Sequence, residues 1–166
     1  MKKIAFCAVI LSTILICIGC TDKGDERATV VESPNTKVTG TNALAEITKL
    51  AESGDAVAQS RLGNIYAEGS EVPQDFALAT QWFNKAAEQG DPEAQYYLGV
   101  IYSGGFVAPP DYFEGYVWFC LAAKSGFETA GEDCEAIASE LSPEELVAAK
   151  SREAKLLEEI QQRNTK

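Results

Sequence analysis

The chain has 166 residues, 46% hydrophobic and 23% charged, and its 14 basic against 25 acidic side chains give a formal charge of −11. That length favours one domain once non-structural ends are set aside, and such acidity repels phosphate backbones, which argues against nucleic acid as a partner. Histidine is absent, which removes the usual general base, the usual zinc ligand and every Ser-His or Cys-His nucleophile pair.

In chain order, Met1-Lys2-Lys3 is a short positive region, followed by an apolar run from Ile4 to Ile18. Fifteen residues are too few for a spanning helix, which needs about 20, but suit a signal peptide over residues 1–19. The run ends Cys17-Ile18-Gly19-Cys20-Thr21. A small residue before a cysteine at this place resembles the bacterial lipobox, although Cys17 stands where that pattern has Leu. The resemblance implies that Cys20 becomes the first mature residue and carries lipid. It also implies, with Thr21 and not Asp after it, an outer-membrane destination. The alternatives are a plain secretory signal or an uncleaved anchor. Without Lys2 and Lys3, 12 basic residues remain against 25 acidic, or −13. Residues 20–41 lack an apolar period and are rich in Thr, Asp, Glu, Gly and Pro, the composition of a flexible tether.

From there a period of 36 residues sets the organisation. Gly54, Gly90 and Gly126 are in phase, as are Ala58, Ala94 and Ala130. So are the pairs Leu62/Leu98, Gly63/Gly99, Tyr66/Tyr102, Gly69/Gly105, Pro73/Pro109, Asp75/Asp111, Trp82/Trp118 and Phe83/Phe119, with no insertion needed. Such self-similarity is the mark of a repeat architecture. The units are a capping helix over residues 42–53, repeats over 54–89 and 90–125, and a degenerate third repeat with a capping helix over 126–166.

Each unit reads as two helices. In the second copy the first helix, Pro92 to about Ser103, puts Ala94, Leu98, Ile101 and Tyr102 on one face. The second, Asp75 to Glu88 in the first copy, does the same with Phe76, Ala79, Phe83, Ala86 and Ala87. Asp75 and Asp111 stand as N-caps, Gly69 and Gly105 as left-handed C-caps. Gly63 and Gly99 fall inside helices, where glycine costs about 1 kcal/mol relative to alanine, so their recurrence predicts a close approach by the partner helix. Tyr66, Tyr102, Trp82 and Trp118 keep phase with the fold and read as core. After Gly126, Glu135 and Ala138 replace the in-phase Gly and Tyr, and Ser142-Pro143-Glu144-Glu145 forms a capping box opening a charged helix to about Gln162.

These residues carry a family resemblance. The stretches AVAQSRLGNIYAEGSEVPQDFALATQWFNKAAEQG and EAQYYLGVIYSGGFVAPPDYFEGYVWFCLAAKSG resemble the Sel-one-like repeat, a relative of the tetratricopeptide repeat, with Gly115 where the pattern has Ala. The resemblance implies an all-α fold, a short right-handed α-solenoid of antiparallel helix pairs whose first helices line the concave face. It also implies a non-catalytic adaptor that binds a protein or peptide.

Where copies differ on those first helices, a binding surface is expected: Ser60/Tyr96, Arg61/Tyr97 and Asn64/Val100. Arg61, Asn64, Tyr97 and Val100 are the candidates, ordinary variable surface being the plain alternative. Cys120 and Cys134 flank the turn at Gly126, so a hairpin brings them close, and an exported compartment favours a disulfide; two buried thiols are the alternative. Carboxylate pairs such as Glu52 and Asp55 or Glu144 and Glu145 could serve glycoside hydrolysis or calcium, but they sit at helix starts or on polar faces. No catalytic residue, metal or cofactor is expected. The leading reading is an envelope scaffold held to the membrane by lipid. A peptidoglycan- or glycan-directed protein, even a hydrolase, and a surface factor meeting host proteins are the others.

Overall fold

The computed structural model describes residues 40–165, with side chains described from residue 43. The described residues form seven helices and no strands: α1 (Gly40–Glu52), α2 (Ala56–Glu68), α3 (Phe76–Ala87), α4 (Pro92–Gly104), α5 (Tyr112–Lys124), α6 (Ala130–Ala138) and α7 (Pro143–Asn164). The signal segment, Cys20 and most of the tether lie outside them. Gly40 and Thr41, assigned above to the tether, are the first turn of α1.

Each helix from α1 to α5 packs on the next, the nearest-neighbour stacking of a solenoid. The 36-residue period governs the atoms as well as the sequence. Asp55, Asp75, Asp91 and Asp111 are all N-caps whose carboxylates accept a backbone N–H three residues on, at 2.7 to 3.0 Å, satisfying a donor the helix start leaves open. Gly69 and Gly105 close α2 and α4 at φ 68° and 69°, and each N–H bonds back to the carbonyl of Ile65 or Ile101. The Asp75 and Asp111 N–H groups then reach the carbonyls of Tyr66 and Tyr102 at 2.9 and 2.8 Å.

The core runs through Phe83, Ala86 and Ala87 of α3, Ala94 and Leu98 of α4, and Val117 and Leu121 of α5, all wholly buried. Large apolar side chains of this kind contribute roughly 1.5–3 kcal/mol each. Gly63 and Gly99 face the rings of Phe83 and Phe119, so the close approach is by a ring and not by helix backbone. Trp118 is buried as expected, but Trp82 is only half-buried. It belongs to the smaller cluster that α1 makes over α2 with Leu44 and Ile47, and the Lys85 ammonium lies 3.8 Å from its ring centroid. Tyr66 and Tyr102 are also half-buried, bordering the core without entering it.

At the other end α6 is a nine-residue helix with no side-chain N-cap bond, and only Ala130 is buried in it. Helix α7 starts at the full capping box of Ser142 and Glu145 and packs on α5. It buries Ala149, Glu153, Leu156 and Ile160. Its last turn reaches the end of α3, where Arg163 pairs with the Glu88 carboxylate at 2.9 Å and the Asn164 amide donates to the Gln89 carbonyl.

Candidate functional site

The candidate residues occupy α2 and α4. Arg61 is exposed and Asn64 half-buried, three residues apart on α2 and hence on one face; Tyr97 and Val100 are half-buried at the same spacing on α4. The two helices are tied across that face, since the Asn64 amide donates to the Glu93 carboxylate at 3.0 Å. Tyr97 stacks on the buried ring of Phe83, centroids 5.2 Å apart and planes 19° apart, so one side of the phenol is held by the core. Burial raises its pKa, and the nearby Glu93 and Glu68 carboxylates add to the rise by opposing a phenolate. Tyr97 is therefore a neutral, rigid platform beside two negative charges.

Ser60 and Tyr96, read above as variable surface, are not on the surface in the same way. Ser60 is 2% exposed and its hydroxyl has no hydrogen-bond partner. Tyr96 is half-buried, stacked on Phe127 at 4.4 Å and near Phe119 at 5.5 Å. Helix α6 adds Asp133 near the Tyr96 phenol; burial raises the Asp133 pKa, and the phenol partly opposes the rise. The variation from Ser to Tyr fills space where the third copy begins.

A buried polar ladder also repeats. Gln59 and Gln95 are 4% and 0% exposed, and each donates back to a carbonyl eight residues earlier, that of Ala51 or Ala87. Their own carbonyls accept from Gln89 and Ser125, both at 2.8 Å. The in-phase pairs Gln59/Gln95 and Gln89/Ser125 were the sequence signal for this ladder. It satisfies a helix-end carbonyl in each repeat, so it fixes the angle between units and presents nothing to a ligand.

The Sγ atoms of Cys120 and Cys134 are at bonding distance, with Cα atoms 5.2 Å apart, linking α5 to α6. Among the described residues no group of three or more Cys, Asp or Glu side chains is placed to hold a metal ion. The sequence carboxylates are largely at helix starts: Asp55, Asp91, Asp111 and Glu145 all serve caps. Among the described residues the arrangement offers a frame and a surface, its capping carboxylates each turned to a helix start.

Comparison with known proteins agrees with this geometry. The Sel1 repeat family pattern matches residues 56–91 and 92–127, the same period with frames beginning two residues later than those read above. Among solved structures, the chain is similar to c5321, described as a protective antigen present in uropathogenic Escherichia coli strains displaying an SLR fold. The identity is 31% and the TM-score 0.68, covering 71% of this chain and 26% of that one. It is also similar to a Sel1 repeat protein from Oxalobacter formigenes, at 32% identity and TM-score 0.54, covering 56% of this chain and 38% of that one. The chain thus spans about a quarter and two fifths of those two proteins. No curated protein matches it. Sel1 repeat proteins are generally protein-interaction scaffolds, and the fold is typically non-catalytic. Residues 56–127 are two consecutive Sel1 repeats.

Proposed function

We propose that this protein is a non-catalytic scaffold, held by lipid at Cys20 to the bacterial envelope, outer membrane included, that binds a protein or peptide partner across α2 and α4. The observation that carries the reading is divergence on a fixed frame. Caps, glycines and core recur at 36 residues, while Arg61/Tyr97 and Asn64/Val100 differ between copies on one accessible face. A surface free to vary on a rigid repeat is where recognition is placed.

The lipid anchor rests on the Gly19-Cys20 junction after its apolar run, since several acyl chains hold a protein stably to a bilayer. Cys20→Ala should move the protein out of the membrane fraction, and wild type should show the added lipid mass; unmodified, unanchored wild type refutes the anchor. For the groove, a photo-crosslinking side chain at position 61 or 97 in intact cells should trap one shared partner that a probe at exposed Glu158 does not. Equal capture at all three positions refutes the groove. Hydrolysis of peptidoglycan abolished by one Asp or Glu substitution would replace the scaffold with an enzyme.

A further inference from the structure

The α2–α4 face carries its charges in a fixed order. On α2, Arg61, Asn64 and Glu68 follow one another at spacings of three and four residues, and on α4 Glu93, Tyr97 and Val100 follow at four and three, so each trio forms one stripe. The stripes are in contact. The Asn64 amide donates to the Glu93 carboxylate at 3.0 Å, and both Glu68 and Glu93 lie close enough to Tyr97 to oppose a phenolate. One continuous surface therefore runs from the Arg61 cation, past the Asn64–Glu93 bond, to a phenol set beside two carboxylates.

Tyr97 is held as a platform. Phe83 covers one face of its ring at 5.2 Å, and the Tyr96 ring meets it at 68° with centroids 5.8 Å apart. The ring is half-buried, whereas Glu68, Glu93 and Arg61 are exposed. No ion pair among the described residues engages any of those three. A neutral aromatic ring flanked by carboxylates attracts a cation through its quadrupole and through their charge. Arg61, at the other end of the stripe, attracts the opposite sign.

The arrangement occurs once. In phase, Glu93 and Tyr97 correspond to Val57 and Arg61 on α2 and to Thr129 and Asp133 at α6, so a bound segment has a single register. Arg61 and Glu68 are about 10 Å apart along α2, at 1.5 Å per residue. An extended chain covers about 3.3 Å per residue, so about three residues span that distance.

Resting on the scaffold reading above, we infer that the α2–α4 face takes an extended protein segment of two opposite charges. A lysine or arginine lies over Tyr97 between Glu68 and Glu93, and an aspartate or glutamate about three residues away meets Arg61. The pairing of signs separates this recognition from the attraction that so acidic a chain exerts on any cation.

The test uses the full chain in detergent and a random twelve-residue displayed peptide library as the probe. Peptides selected on wild type should share a Lys or Arg about three residues from an Asp or Glu. Glu68→Gln with Glu93→Gln should weaken their binding roughly fivefold or more at an unchanged melting temperature, and Tyr97→Leu should do the same. A second selection on Arg61→Glu should return a basic residue in place of the acidic one, a reversal that misfolding cannot imitate. Val100→Asp reports whether the peptides sit on this face. Peptides that lose binding with Val100→Asp but share no such charge pair overturn the inference and leave the groove standing. Peptides indifferent to both Val100→Asp and Tyr97→Leu bind elsewhere, which overturns it and counts against the groove as well. Selection of purely basic peptides that Arg61→Glu binds no differently, or of none at all, overturns it too.

Discussion

Replacing Gly63 by alanine puts two opposed effects on one position, and the structure decides which wins. A Cβ there would lie 2.6 Å from Phe83 Cε1 and 2.7 Å from Cδ1, and the ring is wholly buried. Carbon atoms attract best at about 3.5–4.0 Å, so the ring must retreat by about 1 Å within a packed core. Overpacking of this kind costs about 1–3 kcal/mol, against which alanine recovers about 1 kcal/mol of helix propensity. A forced shift of a wholly buried ring belongs at the upper end of that range, so the net expectation for Gly63→Ala is a loss of about 2 kcal/mol, or roughly 8 °C in melting temperature for a domain of this size. Gly131, in α6, has nothing within 4 Å of its would-be Cβ, so Gly131→Ala should keep only the gain and raise the melting temperature slightly. Adding Phe83→Leu to Gly63→Ala should cost less than the two singles summed, because the shorter side chain vacates the clash. Calorimetry on the four variants, Phe83→Leu alone among them, reads this directly. A Gly63→Ala protein as stable as wild type, or more so, would mean that the in-phase glycines are not held by contact and would refute the reasoning.

Three further outcomes follow from the same coordinates. Reduction, or Cys134→Ser, should remove up to about 3 kcal/mol, the chain-entropy value for a loop of this length. Hydrogen exchange should then rise first after Gly126; two free thiols in the denatured, unreduced protein would refute the bond. Gln95→Ala should cost about 1–3 kcal/mol by removing two hydrogen bonds from a wholly buried position, the amide's to the Ala87 carbonyl and the Ser125 hydroxyl's to the Gln95 oxygen, and a urea midpoint equal to wild type would contradict that. Glu145 has a folded pKa below its unfolded one, so its contribution is present at neutral pH and lost as pH falls through the folded value, below the ordinary carboxylate range. Glu145→Gln should therefore flatten the acid limb of a stability–pH curve, and an unchanged limb would count against the cap.

What the sequence made legible was whatever the backbone itself demands. A left-handed φ selects glycine, an open helix start selects aspartate, and a ring against a helix axis excludes a side chain, so Gly69, Asp75 and Gly63 announce their positions by type and phase. Polar side chains inside the stack do not announce themselves. Gln59 and Gln95 are in phase like the glycines, yet glutamine is usually a surface residue, and only the structure shows each one turned inward to a carbonyl. Ser60 and Tyr96 show the converse error, since variation between copies was read as exposure when the site lies inward and the larger ring fills space beside Phe127. Their partners at 61 and 97, one residue on, do reach the surface, because a step of one residue turns a helix by about 100°.

The end of the solenoid obeys a third rule. The capping box fixed where α7 starts, but its register on α5 depends on a charged residue that periodicity assigns to water. Glu153 is 5% exposed, 2.7 Å from the Lys124 ammonium, between Ala149 and Leu156 on the buried face. A carboxylate there is tolerable only while its partner is present, and Lys124 stands one residue before the C-cap of α5, where a cation is also favoured by the helix dipole. The pair thus ties the position of α7 to the end of α5. A sliding of α7 by one turn would bring Glu153 or Glu145 to the place of Ala149 and part Glu153 from Lys124, and so the ion pair and the apolar positions select the same register.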